Sequence, residues 1–128
     1  MSILEHDVVL IGSKGRERCR AMFDSGASYS IIRRDLAERL ANLEPLPNPD
    51  EWVFETARPG DLIQARHRVP LDLRFDDSEA RFSDEFIVFE TLAEELIIGA
   101  HTMQAWHITL DFQNEAVVYR KTAQRLRV

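Results

Sequence analysis

The sequence predicts an all-β protein, a barrel or sandwich with one or two short helices. Three observations carry this expectation. Short β-branched or alternating apolar runs recur from Val8 to Tyr119, turn-forming clusters separate them, and only two stretches show helical spacing. A length of 128 residues fits one hydrophobic core, so residues 1–128 are read as a single domain.

The elements follow in order. Val8-Val9-Leu10-Ile11 is a first strand, Gly12-Ser13-Lys14-Gly15 a turn, and Cys19 to Phe23 a second apolar run that delivers Asp24 to a strand end. Beyond Ser25-Gly26, the positions Ile32, Leu36, Leu40 and Leu43 repeat at helical spacing, which predicts a short amphipathic helix. Pro45, Pro47 and Pro49 interrupt any helix and mark a connector. Phe54-Glu55-Thr56-Ala57 and Leu62-Ile63-Gln64-Ala65 flank Arg58-Pro59-Gly60-Asp61, which predicts a hairpin with an exposed tip. Val69, Leu71, Leu73 and Phe75 alternate with polar residues, and a further strand runs from Phe82 to Phe89. Leu96-Ile97-Ile98-Gly99 reads as a buried strand, His101 to Trp106 as a short helix, and Ile108 to Phe112 with Ala116 to Tyr119 as a closing strand pair.

Composition narrows the function classes. The 16 Lys and Arg against 22 Asp and Glu give a net charge of −6, which disfavours nucleic acid as a partner. The basic tail from Arg120-Lys121 through Arg125 and Arg127 reads as a solvated terminal segment. A lone cysteine, Cys19, forms no intrachain disulfide, and its alternation with Ala21 and Phe23 predicts burial. No His pair has zinc-helix spacing, so no metal or other cofactor is expected. Gly12-Ser13-Lys14-Gly15 lacks phosphate-loop spacing, and Trp52 and Trp106 read as core or interface residues. Without a membrane-length apolar run or a basic, apolar leader, the expected location is cytoplasmic, away from membranes.

Asp24-Ser25-Gly26 alone is a weak signal that fits an ordinary turn. Here it follows the strand end Ala21-Met22-Phe23, precedes Ala27 and a helix, and is answered by Leu96-Ile97-Ile98-Gly99 before a second helix. In that combination the sequence resembles the retropepsin-like aspartic peptidases, over nearly the whole chain. The catalytic-loop motif matches Asp24, Ser25, Gly26 and Ala27, and the apolar-apolar-Gly signature matches Ile97, Ile98 and Gly99. The flap matches the hairpin around Arg58-Pro59-Gly60, and the closing strand pair matches Ile108 to Phe112 with Ala116 to Tyr119.

The resemblance implies a closed, barrel-like retropepsin fold and an aspartic endopeptidase. Hydrolysing a peptide without metal or covalent nucleophile needs one carboxylate to activate water and a second, protonated, to polarise the carbonyl. Two negative charges about 3 Å apart repel by roughly 5 kcal/mol at an effective dielectric of ~20, so such a pair shares one proton. The chain has no second Asp-Ser/Thr-Gly, since Asp77-Ser78 continues into Glu79. A dyad therefore implies a homodimer that contributes Asp24 twice.

By the same resemblance Ser25 and Gly26 support the active-site loop. A peptide or protein substrate would lie extended over Gly26, Ala27 and Ser28, under flap residues Ala57, Arg58 and Gly60. The chain departs from many relatives at Ser28 and Ala100, where Asp and Arg are common, and at the Arg58-Pro59 tip, which is not glycine-rich. His101 reads as a helix-start or interface residue. A competing expectation is a dimerisation or peptide-binding module with little or no hydrolysis. The intact Asp24-Ser25-Gly26 favours the enzyme, because binding alone does not require a costly carboxylate pair on a symmetry axis.

Overall fold

The computed structural model describes residues 3–56 and 58–123, so Ala57, Arg125 and Arg127 lie outside the described residues. Two long strands, β1 (Ile3–Gly12) and β2 (Gly15–Asp24), pair antiparallel from Gly12↔Gly15 to Ile3↔Asp24 around the Ser13-Lys14 turn. A short strand β3 (Ile31–Arg33) leads into helix α1 (Arg34–Leu40). The proline-rich connector contains the two-residue strand β4 (Glu44–Pro45) and a 3-10 turn, Pro49–Glu51. The predicted hairpin is β5 (Val53–Glu55) with β6 (Leu62–Gln64).

Strands β7 (His67–Arg74) and β8 (Arg81–Phe89) form the second long antiparallel pair. Next come β9 (Leu96–Ile98), helix α2 (Ala100–Ala105), and the separate hairpin of β10 (Thr109–Asp111) and β11 (Ala116–Val118). The main sheet runs β1-β2-β9-β3-β8-β7-β4, and an additional β1–β7 pairing, Val9↔Arg74 to Ile11↔Asp72, closes six of its strands into a barrel. Closure satisfies edges that would otherwise expose unpaired backbone groups.

Chain order and spatial order part company at one point. Strand β9 inserts between β2 and β3, parallel to β2 (Met22↔Ile97, Phe23↔Ile98) and antiparallel to β3 (Ile31↔Ile97, Ile32↔Leu96). The loop between β2 and β3 is thereby pulled against the end of β9. Two-residue periodicity then sorts the side chains. Cys19, Ala21 and Phe23 of β2, with Leu96 and Ile98 of β9, enter a core shared with Val8, Leu10, Ile32, Leu36, Phe75, Phe82 and Phe86. Met22 and Asp24 face the other way.

A smaller apolar cluster of Ile31, Leu46, Ala65, Ile87 and Phe89 supports Trp52, Phe54 and Ile63 of the β5–β6 hairpin. Trp106 packs against Phe82 at a ring separation of 5.5 Å, beside the main core.

The first predicted helix needs correction. Ile32 and Leu36 keep helical spacing, but residues 31–33 are a strand, because β8 and β9 take up their backbone groups from both sides. The helix is only Arg34–Leu40, with Leu36, Ala37 and Leu40 buried, and Leu43 packs on the core from beyond it. Of the basic tail, the described Lys121 pairs with Asp77 at 3.1 Å. No described helix is long and apolar enough to cross a membrane.

Candidate active site

Asp24 ends β2 half-buried, with Ser25 and Gly26 exposed in the turn beyond it. The Gly26 N–H donates to Asp24 Oδ1 at 2.8 Å, and the Ala27 N–H donates to the Asp24 carbonyl at 3.2 Å. The turn thus folds back on its own carboxylate, fixing where that carboxylate points.

The end of β9 and the start of α2 brace this turn. A helix begins with N–H groups that have no partner inside it. Here the Ala100 N–H donates to the Ala27 carbonyl at 2.7 Å and the His101 N–H to the Ser28 carbonyl at 3.1 Å. Gly99 is needed for the approach, since a Cβ at that position would stand 2.4 Å from the Tyr29 carbonyl oxygen and 2.9 Å from that of Ala27. The distant Ile97-Ile98-Gly99 segment is therefore in direct contact with the Asp24 loop.

Above the loop opens a cleft of about 1020 Å³, with Asp24, Gly26, Ala27 and Ser28 on one side and Trp52, Phe54, Glu55 and Thr56 of the hairpin on the other. Its charged lining is Asp24, Glu51, Glu55 and Glu94, with no Lys or Arg among the described residues that line it. Of the residues expected to bind substrate, Gly26, Ala27 and Ser28 line the cleft. Arg58 and Gly60 stand exposed at the hairpin tip, outside the cleft lining, and Ala57 is outside the described residues.

The tip is a closed turn. Thr56 Oγ1 accepts from the Arg58 N–H at 3.2 Å and donates to Asp61 Oδ2 at 3.0 Å, while the Thr56 N–H donates to the Asp61 carbonyl at 2.9 Å. Gly60 takes a left-handed φ of 79°, which suits a residue without Cβ.

Sequence reasoning missed Tyr29. Its side chain, 40% exposed, meets Trp52, Phe54 and His101 edge-on at ring separations of 5.5, 6.0 and 5.2 Å. It joins the loop, the hairpin and α2 in one aromatic wall of the cleft. The only sequence signal was an aromatic residue two positions beyond Ala27. His101 is a helix-start residue whose ring lies against Tyr29.

No protein-family model and no curated protein sequence matches the chain. Solved structures do. The retroviral protease-like domain of Ddi1 from Leishmania major is similar with a TM-score of 0.61 and 19% identity, covering 93% of this chain and 89% of that one. EIAV protease in complex with the inhibitor HBY-793 is similar with a TM-score of 0.59 and 13% identity, covering 84% of this chain and 91% of that one. The fold is retropepsin-like.

Proposed function

We propose that this retropepsin-like chain is one subunit of a homodimeric aspartic endopeptidase, with Asp24 from two copies forming the catalytic dyad. The observation that carries this reading is the Asp24 carboxylate, held by the Gly26 N–H at the floor of a peptide-sized cleft roofed by the β5–β6 hairpin. A single chain supplies one such carboxylate, and its sequence contains no second Asp-Ser/Thr-Gly.

In the dimer the ionised carboxyl takes a proton from a water molecule, whose oxygen attacks the peptide carbonyl carbon. The protonated carboxyl hydrogen-bonds to the carbonyl oxygen and transfers its proton as the tetrahedral intermediate forms. On collapse the C–N bond breaks, the carboxyl that took the water proton passes it to the leaving amine, and the other carboxylate takes a proton from the diol hydroxyl as the carbonyl re-forms, which restores the starting dyad. Gly26, Ala27 and Ser28 support the substrate from below, and the hairpin adds to it like a neighbouring strand. The carboxylate-only charge of the lining disfavours acidic side chains in the bound peptide.

Cleavage of a peptide library from acid to neutral pH, by the wild type and by Asp24→Asn, tests the proposal. The expected result is cleavage that falls by at least about a hundredfold in the variant, the scale of positioned acid–base catalysis. Absence of Asp24-dependent cleavage at every pH overturns it and leaves the peptide-binding module.

A further inference from the structure

Against the Asp24 loop, outside the cleft lining, lies a chain of polar groups that the reaction itself does not use. Ser30 is 2% exposed and Thr102, on α2, is 4% exposed. The Gly99 N–H donates to Ser30 Oγ at 3.0 Å, Ser30 Oγ lies 2.5 Å from Thr102 Oγ1, and the Thr102 hydroxyl donates to Asp84 Oδ2 on β8 at 2.5 Å. The other oxygen, Asp84 Oδ1, accepts the Glu85 N–H at 2.7 Å.

Proton counting fixes the direction of this chain. A hydroxyl has one hydrogen to give, and that of Thr102 goes to Asp84. Ser30 must then donate to Thr102, and its remaining capacity accepts Gly99. Every donor points toward the Asp84 carboxylate, an arrangement in which each bond polarises and strengthens the next.

We propose that Asp84, Thr102 and Ser30 are positioning residues that hold the Asp24 loop in register from outside the cleft lining, with Asp84 as the fixed acceptor end. The proposal rests on the aspartic-peptidase reading above. Ser30 closes the segment that begins at Asp24, and Gly99 and Thr102 belong to the same β9–α2 unit that binds the Ala27 and Ser28 carbonyls. Strand β8 is part of the closed barrel, so Asp84 ties a mobile type of structure, a loop, to a rigid one. Catalysis is sensitive to such ties because misplacement by about 1 Å far from the reacting atoms can cost on the order of a hundredfold in rate.

Three variants of the full chain test this: Thr102→Val, which keeps the shape and removes the hydroxyl; Thr102→Ser, which restores it; and Asp84→Asn, whose single amide oxygen cannot accept from both Thr102 and the Glu85 N–H. Circular dichroism establishes folding, peptide cleavage separates kcat from KM, and hydrogen exchange with mass spectrometry follows the segment 24–30. Thr102→Val and Asp84→Asn are expected to lower kcat about tenfold or more with KM within about twofold, and to speed exchange of that segment. Thr102→Ser is expected to rescue both. Wild-type kcat and exchange in a folded Thr102→Val chain, or a change confined to KM, overturn the proposal. Should Thr102→Val not fold, the same readings on Asp84→Asn decide it. If the wild type shows no Asp24-dependent cleavage, the peptidase reading falls on that result, and exchange alone decides the relay: unchanged exchange in the folded variants overturns its hold on the loop.

Discussion

Gly99 shows at single-residue scale how close the loop and the β9–α2 unit must come. The atoms that a Cβ would strike at 2.4 and 2.9 Å are backbone carbonyl oxygens, which cannot rotate away as a flexible side chain would. Gly99→Ala is expected to destabilise the fold by about 3 kcal/mol, the upper part of the usual range for overpacking. A shift in the denaturant midpoint without a change in slope measures it. Cys19, 7% exposed in the core, has its thiol pushed up to about 12, chiefly by burial and secondarily by Glu95 and other carboxylates. The reactive thiolate is therefore absent at neutral pH, and a thiol reagent is expected to modify Cys19 only after denaturation. Burial and a hydrogen bond to Asp77 push the Tyr119 hydroxyl up to about 12. Its folded value lies above the unfolded value of about 10, so its stabilising effect is complete below pH 10 and is lost as pH rises toward 12. Phenolate absorbance during alkaline titration of the wild type and Tyr119→Phe reads this directly.

Among the elements, the β5–β6 hairpin combines an aromatic base with a hydrogen-bonded tip. Phe54 meets Phe89 at a ring separation of 5.2 Å and Tyr29 at 6.0 Å, so the hairpin rests on the barrel and on the Asp24 loop within one chain. The tip depends instead on Thr56, whose hydroxyl joins the Arg58 N–H to Asp61. Thr56→Val keeps the branched shape and removes the hydroxyl. The expected outcome is faster hydrogen exchange across residues 58–61, a higher KM for peptide, and a loss of overall stability of about 1 kcal/mol or less, since the bonds are solvent-exposed. Strand β3 teaches a different lesson. Its three residues are held by pairing with β8 on one side and β9 on the other, which overrides the helical spacing that runs through Ile32 and Leu36.

At the scale of the whole molecule, charge and assembly set the expected behaviour. Hydrogen bonds from arginines hold the carboxyls of Asp7 (Arg20), Glu17 (Arg39) and Asp35 (Arg33) below the usual carboxylate range, and Tyr119 does the same for Asp77. Lowered folded values stabilise the protein above the unfolded values near 4, and this stability is lost as pH falls through the folded ones. Denaturant midpoints are therefore expected to drop below about pH 4, and Asp77→Asn to flatten part of that decline. The proposed dyad adds a concentration dependence. Specific activity is expected to fall on dilution, in step with dissociation seen by solution scattering, because a monomer contributes one Asp24. Activity that stays constant per chain into the monomeric range contradicts a shared dyad.

Much of the fold was legible in the sequence because the information is local. Alternation in Val69 to Phe75 marks β7, the Arg58-Pro59-Gly60 turn marks the hairpin, and Asp24-Ser25-Gly26-Ala27 with Ile97-Ile98-Gly99 marks the two segments that meet at the site. Local patterns do not specify which distant strands become neighbours. The insertion of β9 between β2 and β3 converted residues 31–33 from apparent helix to strand, and gathered Tyr29 with Trp52 and Phe54 into a wall. It also joined Ser30, Thr102 and Asp84 into one hydrogen-bonded chain. By itself the sequence determined an all-β chain with Asp24 in a turn at a strand end, since periodicity and turn chemistry act between near neighbours. Only the tertiary structure decided what surrounds that carboxylate, because burial and hydrogen bonding across the barrel depend on strand order, which periodicity does not encode.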